Sequence, residues 1–350
     1  MLAAKMRSMG SAAVQHRVAG RALPPARAAS TEAAPASTTA AAAAAAYVAP
    51  MLAALAPTPG PTLRDAGPPP ARFQPGKGTL LSIAQAAFAP VARLGSGALA
   101  YGYGVTREGG GAAQPGRYSV VDGVFETSQV ASLPRPAQPL VLFEFQSCPF
   151  CAKVREAASM LDLDVLFLPC PKDGERFRPK AVELGGKAQF PLMLDAGAPG
   201  GPVLMYESAD IIRYMFERYG PGEAAIPSML GGGTLATLSA ALAVLPRGGA
   251  GGRAKPSGKP APEKPLVLWA YEASPFVRIV RERLGELELA HLQVTVARGS
   301  ADKRQRLLDA RGAFQVPYLE DPNAGVYLFE SSAILDYLDA VYGAGAPSSA

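Results

Sequence analysis

PLVLFEFQSCPFCAKVRE, residues 139–156, returns 126 positions later as PLVLWAYEASPFVRIVRE, residues 265–282. Pro139-Leu140-Val141-Leu142 matches Pro265-Leu266-Val267-Leu268, Pro149-Phe150 matches Pro275-Phe276, and Val154-Arg155-Glu156 matches Val280-Arg281-Glu282. Pro191 matches Pro317 at the same offset. After a three-residue gap, Glu207-Ser208 matches Glu330-Ser331 and Tyr219-Gly220 matches Tyr342-Gly343. So many coincidences in one register mark an internal repeat, two copies of a unit of about 80 residues over 139–220 and 265–343.

Each copy reads the same way. An apolar β run (Leu140–Phe145; Leu266–Tyr271) meets a turn whose proline, Pro149 or Pro275, suits the first helical turn, where a missing N–H costs nothing. In the first helix Val154, Ala157, Ala158 and Leu161 fall at i, i+3, i+4 and i+7 and predict one buried stripe. A second strand follows (Val165–Leu168; Leu292–Val296), then a helix or loop rich in Lys and Arg. The unit closes with a strand opening at proline (Pro191–Leu194; Pro317–Leu319), a fourth strand (Val203–Met205; Val326–Phe329) and a helix from Glu207 or Glu330. The order βαβ–α–ββα predicts an α/β protein of two tandem thioredoxin-like domains, each a four-stranded mixed sheet with helices on both faces.

Copy one carries the chemistry. Ser147-Cys148-Pro149-Phe150-Cys151 lies where a strand hands over to a helix. A sulfur at a helix N-terminus faces unpaired N–H groups and the positive end of the dipole, which favour thiolate over thiol, and only the thiolate is a nucleophile. Cys151 lies within reach of a disulfide across the first turn. The competing readings are a zinc half-site or two ordinary buried cysteines. Zinc needs four ligands, and only Cys170 remains in the chain, with no histidine nearby, so no metal is expected. Cys170, before Pro171 at the end of the second strand, reads as a strand-end core residue, with a resolving thiol as the alternative.

Composition limits the function classes. The net charge of +5 invites nucleic acid, but Lys5, Arg7, Arg17, Arg21 and Arg27 precede the first acid, Glu32, and without them 29 bases face 29 acids. A neutral remainder has no electrostatic basis for phosphate binding, so no nucleic acid is expected as a partner. Three cysteines are too few for a disulfide scaffold. With 37 glycines and 34 prolines, about a fifth of the 350 residues, part of the chain is expected outside any packed core. Residues 1–47, rich in Ala, Arg and Ser, are expected to form a disordered N-terminal region of transit-peptide composition, addressed to the chloroplast or alternatively the mitochondrion. Residues 48–138 read as a Pro/Gly-rich linker with an apolar arm, Thr79 to Tyr103, that contains a short helix.

The motifs resemble known families. Cys148-Pro149-Phe150-Cys151 resembles the glutaredoxin active site, Phe190-Pro191 resembles the cis-proline element of thioredoxin-fold proteins, and Glu207-Ser208 resembles the Glu-Ser motif of glutathione S-transferase N-terminal domains. The pair as a whole, 139–343, is similar to plant and algal plastid proteins with tandem domains of this type. The resemblance implies a glutathione site: Cys148 for the glutathione sulfur, the backbone of Phe190 beside a cis Pro191 for the cysteinyl part, Glu207 and Ser208 for the γ-glutamyl end. A base among Arg176, Arg178 and Lys180 would meet the glycyl carboxylate. The plain alternative for Glu207-Ser208 is a helix cap.

In copy two, Ser274 and Val277 replace the cysteines, while Val316-Pro317 and Glu330-Ser331 persist. This degenerate second site cannot do dithiol chemistry and reads as a packing or docking module. Between the copies, 224–246 is uncharged over 23 residues. A buried helix over 234–245 is expected, with weak membrane association through 224–246 as the alternative. Residues 247–264 read as a flexible tether. Ordinary glutathione transferases follow this unit with a large helical domain. Only 44 residues, 221–264, part the copies, so conjugation of bulky electrophiles is not expected. The functional expectation is a glutaredoxin-like thiol–disulfide oxidoreductase acting on protein disulfides or glutathionylated cysteines through Cys148 and Cys151. Its rival is a non-catalytic glutathione-binding or protein-docking factor that uses both folds as surfaces.

Overall fold

The computed structural model describes residues 37–55, 79–107, 118–121, 123–231 and 233–344. Ahead of the repeats run helices α1 (Thr38–Ala53) and α2 (Thr79–Ala92) and strands β1 (Gly104–Arg107), β2 (Ser119–Val121) and β3 (Val124–Thr127). Copy one comprises β4 (Leu140–Glu144), α3 (Pro149–Met160), β5 (Val165–Pro169), α4 (Arg178–Gly185), β6 (Leu192–Asp195), β7 (Val203–Met205) and α5 (Ser208–Tyr219). Helix α6 (Thr234–Leu242) lies between the copies. Copy two repeats the pattern with β8 (Leu266–Ala270), α7 (Pro275–Glu286), β9 (His291–Thr295), α8 (Ala301–Arg311), β10 (Tyr318–Asp321), β11 (Val326–Phe329) and α9 (Ser331–Tyr342).

Within each copy the first two strands pair parallel and the last two antiparallel, the mixed four-stranded sheet expected of a thioredoxin-like unit. Strand alternation sends Leu140 and Leu142 to the face covered by α3 and α5, and Val141 and Phe143 to the opposite face. The stripe Val154, Ala157, Ala158 and Leu161 is buried on the first of these faces.

The two sheets are one. The strand order is β11-β10-β8-β9-β5-β4-β6-β7, joined by antiparallel pairing of β5 with β9. Val165 faces Gln293, Leu166 faces Leu292 and Phe167 faces His291. At the repeat offset of 126, Leu166 and Leu292 are counterparts, and the two flanking pairs are images of each other. The contact is therefore isologous, the geometry of a two-fold dimer built inside one chain. It also hides the edge that either unit alone would leave open.

The Val-Arg-Glu triplets that mark the repeat sit beside this seam. Arg155 is buried, pairs with Glu144, and reaches Glu272 of copy two at 3.1 Å. Its counterpart Arg281 also pairs with Glu272, so two carboxylates and two guanidinium groups balance in the buried interior. Burial pushes the Glu144 carboxyl up despite Arg155, whereas the two arginines hold Glu272 below the ordinary carboxylate range against its own burial. The glutamates of the triplets are clamped from outside: Arg93 meets Glu156 at 2.7 Å and Arg247 meets Glu282 at 2.6 Å.

Two segments differ from expectation. Residues 38–47, placed by composition in a removable leader, belong to α1, which buries Ala41, Ala44 and Val48 against copy one; an alanine stripe is small enough to seat a helix closely on a sheet. The remainder of that leader, 1–36, lies outside the described residues. Within the expected tether, the backbone at 252–254 is pinned to Lys172 by hydrogen bonds of 2.7 and 2.8 Å, and Lys255 N–H donates to the Glu286 carbonyl. Among the described residues no helix is long and apolar enough to cross a membrane, and 234–242 forms α6 as a buttress on α3.

Two predictions follow from the seam. Arg155→Leu leaves Glu144 and Glu272 short of a partner and should cost roughly 3–5 kcal/mol in a denaturant titration, with much less lost when Glu144→Leu is added. His291 stacks on Phe167, bonds the Leu289 carbonyl through Nδ1 at 3.0 Å, and is held by burial at a pKa of about 4. The unfolded chain binds this proton near pH 6.5 and the folded one does not, so stability falls as pH drops from about 6.5 to 4, by a few kcal/mol from this group. The urea midpoint of His291→Gln should fall less between pH 7 and 4.5 than that of the unaltered chain; equal slopes would refute the assignment.

Candidate active site

Cys148 is the N-cap of α3, with extended backbone, and Pro149 opens the helix as expected. The Cys151 N–H donates to Cys148 Sγ at 3.2 Å, one of the orphan donors of the first turn satisfied by sulfur. The Cys148 thiol in turn lies 3.9 Å from the Phe190 carbonyl oxygen. The hydrogen bond from the Cys151 thiol, then that from its backbone N–H, holds the Cys148 thiol below its ordinary range, against burial and Glu144. Burial, then the bond to Cys148, pushes Cys151 well above that range. The dyad is thus asymmetric: Cys148 is the sulfur that ionises more readily, and Cys151 is the one that keeps its proton. Cys170 is buried near Glu144, its thiol pushed well up by burial, as a core residue would be.

The other expected residues converge on the same end of copy one. Phe190–Pro191 is a cis peptide, as is Val316–Pro317 in copy two. Phe190 packs edge-on to Phe145 with ring centroids 6.0 Å apart, and the Arg178 guanidinium lies 4.8 Å from its ring centre. Of the three bases considered, Arg176 is spent on the carbonyls of Leu287 and Lys259, and Lys180 on Glu183. Arg178 is the one beside Phe190, with one guanidinium nitrogen on the Cys170 carbonyl. Glu207 is exposed at the N-cap of α5 with φ of 63°, a left-handed conformation that glutamate adopts only when its surroundings require it. Ser208 begins α5 and is buried; neither residue's side chain caps the helix.

Sequence reasoning missed Gln189. Its amide donates to the Glu207 carboxylate at 2.5 Å, and Gln315 does the same to Glu330 in copy two. The signal was present, since Gln189 and Gln315 are themselves 126 apart, one residue before the matched cis-proline pair. Copy two keeps the rest of the frame: Ser274 Oγ accepts from Val277 N–H at 3.4 Å, and Glu330 has φ of 70°. What it lacks is sulfur.

The site is covered. Cys148 is 2% exposed, and Phe150 alone of the motif projects outward. The segment 249–254 runs over the turn before Cys148; a Cβ on Gly252 would stand 2.1 Å from Ser147 Oγ, so only glycine permits the approach. Among the described residues no cluster of three or more His, Cys, Asp or Glu is placed to hold a metal ion.

Residues 142–223 and 268–347 each match the family model described as "Glutathione S-transferase, N-terminal domain". Among solved structures, a trimeric glutathione transferase of Leishmania, TDR1, is similar at 14% identity over 59% of this chain and 69% of its own, with a TM-score of 0.21. No curated protein matches the chain.

If the Cys151 thiol is what lowers Cys148, Cys151→Ala should raise the pH at which Cys148 alkylates half-maximally, read by intact mass after brief iodoacetamide treatment. An unmoved midpoint would leave the first-turn N–H and the Arg155 guanidinium as the causes. The chain carries two tandem thioredoxin-like domains, each similar to the glutathione S-transferase N-terminal domain, one with a Cys-Pro-Phe-Cys dyad and one without thiols.

Proposed function

We propose that copy one is a glutathione-dependent thiol–disulfide oxidoreductase of glutaredoxin type, acting on glutathionylated protein cysteines or protein disulfides. The observation that carries this reading is the Cys148 sulfur at the N-terminus of α3, accepting an N–H bond and held as the lower-pKa partner of Cys151. A cytosolic zinc or core role would not need that asymmetry.

The residues fit glutathione as follows. Among the described residues the Phe190 N–H makes no backbone hydrogen bond, so it can pair with an extended cysteinyl residue in the manner of an added strand. Arg178 stands beside it for a carboxylate, and Gln189 with Glu207 offers a donor and an acceptor to the zwitterionic γ-glutamyl end. In the reaction, Cys148 thiolate attacks the glutathione sulfur of a mixed disulfide; the protein thiolate leaves and takes a proton. A second glutathione thiolate then attacks the glutathione sulfur held on Cys148, releasing oxidised glutathione and restoring the Cys148 thiolate. With a protein disulfide as substrate, Cys148 forms a mixed disulfide with the protein, and Cys151, once deprotonated, attacks the Cys148 sulfur and frees the second protein thiol. Copy two, with Ser274 and Val277, buttresses this unit. An organellar address, chloroplast before mitochondrion, is part of the proposal and rests on the composition of the leader alone.

One observation favours the second reading, a non-catalytic docking factor: the nucleophile is 2% exposed beneath Phe190 and beside the 249–254 segment. The two readings separate in one experiment. The full chain and its Cys148→Ser form are equilibrated across glutathione redox buffers and weighed intact. A reversible glutathione adduct that needs Cys148, or a reversible loss of two hydrogens, is expected for the oxidoreductase. A Cys148 that stays reduced in oxidising buffer assigns the motif to packing.

A further inference from the structure

Helices α2 and α6 are built inside out. On α2 the buried positions are Ala86 and Ala89, while Leu80, Phe88 and Val91 face away from the protein, Val91 at 71% exposure. On α6 the buried positions are Ala236, Ala240 and, at its C-cap, Ala243, while Leu238, Leu242 and, just beyond the helix, Leu245 face outward, Leu245 at 67%. A surface helix that ends its life in water carries its large apolar residues on the inner face and polar ones outside. Here both helices do the reverse.

The two stripes belong to one packed pair of helices. Arg93, at the end of α2, donates to the Ala236 carbonyl at 3.0 Å and to Ser239 Oγ at 2.6 Å, which clamps α2 to α6. The inner faces of both helices also line one small cavity over Ser274. With Leu81 and Leu94 the outward set exposes on the order of 1,000 Å² of apolar surface, above the roughly 300–600 Å² of the largest patch on a typical monomer. It matches the roughly 800 Å² that each partner contributes to a stable interface.

We infer that this α2–α6 face is where a second copy of the chain docks, two-fold, helix pair on helix pair. The occupant follows from charge and area. Neither 79–92 nor 224–246 contains an ionisable residue, so the partner surface must itself be uncharged, apolar and of like size. The chain carries such a surface, this one, and an isologous contact needs no other. Helices that lie on a bilayer carry lysine and arginine along the polar face, and these carry none. The inference is independent of the thiol chemistry.

Sedimentation velocity of the full chain in reductant, at micromolar concentration, is expected to show twice the chain mass. The variant Phe88→Gln, Val91→Thr, Leu238→Gln, Leu242→Gln should be monomeric at the same concentration, with dimer affinity weakened by at least about 100-fold. Its thermal midpoint measured as a monomer should not fall below that of the unaltered monomer, because the four side chains leave water only in the dimer. Hydrogen exchange of the unaltered chain should gain protection with concentration over 79–94 and 234–247, a readout that requires no variant. A chain that stays monomeric, a dimer that survives the four substitutions or gains protection on another face, or a monomer that floats with uncharged phosphatidylcholine vesicles would each overturn the proposal.

Discussion

Three paired residues on two short strands hold this protein together as one body. Where β5 meets β9, Leu166 faces its own counterpart Leu292, and the pairing reads identically from either copy. An edge strand of a thioredoxin-like unit has N–H and C=O groups that must find partners, and a duplicated chain supplies the matching edge at high effective concentration. Everything else near the seam accommodates that choice. In Val-Arg-Glu both arginines meet Glu272, Arg155 from across the dyad and Arg281 from within copy two, and each glutamate is gripped from outside, by Arg93 in one copy and Arg247 in the other.

The symmetry is broken around the dithiol. Glu272 takes both seam arginines, whereas its counterpart Gln146 is a neutral amide whose side chain finds no hydrogen-bond partner among the described residues. Arg155, bound to Glu144 and Glu272, also lends positive potential to Cys148 and Cys151. The seam and the dithiol are therefore electrostatically connected, and only in copy one. Copy two retains the helix N-cap, the cis proline and the Gln–Glu pair, with oxygen where sulfur would be. A frame kept without its thiols is what a structural buttress retains, since those contacts hold the strand-to-helix junction regardless of chemistry.

The accessory segments change the surroundings of the site more than its geometry. Helix α1 roofs the sheet face on which Cys148 and Cys170 lie, and the 249–254 segment crosses the turn before Cys148. Helices α2 and α6 cover the opposite layer, resting on α7 and α3. In this arrangement the thiol is electrostatically prepared and sterically enclosed, so exchange with any disulfide requires a small partner or an opening of the cover.

The repeat, the strand-helix order, the cis-proline positions and the cysteine dyad were legible in the chain because each is a local pattern repeated in one register. Periodicity and proline placement act over a few residues, and a second copy doubles the signal. Gln189 escaped although it obeyed the same register, because its role depends on Glu207, eighteen residues away in sequence. The alanine run of α1 and the glycine-rich stretch before copy two misled for a related reason. Composition reports what a segment cannot bury by itself, and says nothing of a neighbour that fits alanines closely or needs a glycine under its own chain. The fusion of two sheets into one, the burial of Cys148 and the outward leucines of α2 and α6 were decided in tertiary structure alone, since each depends on which surface arrives from a distant part of the chain.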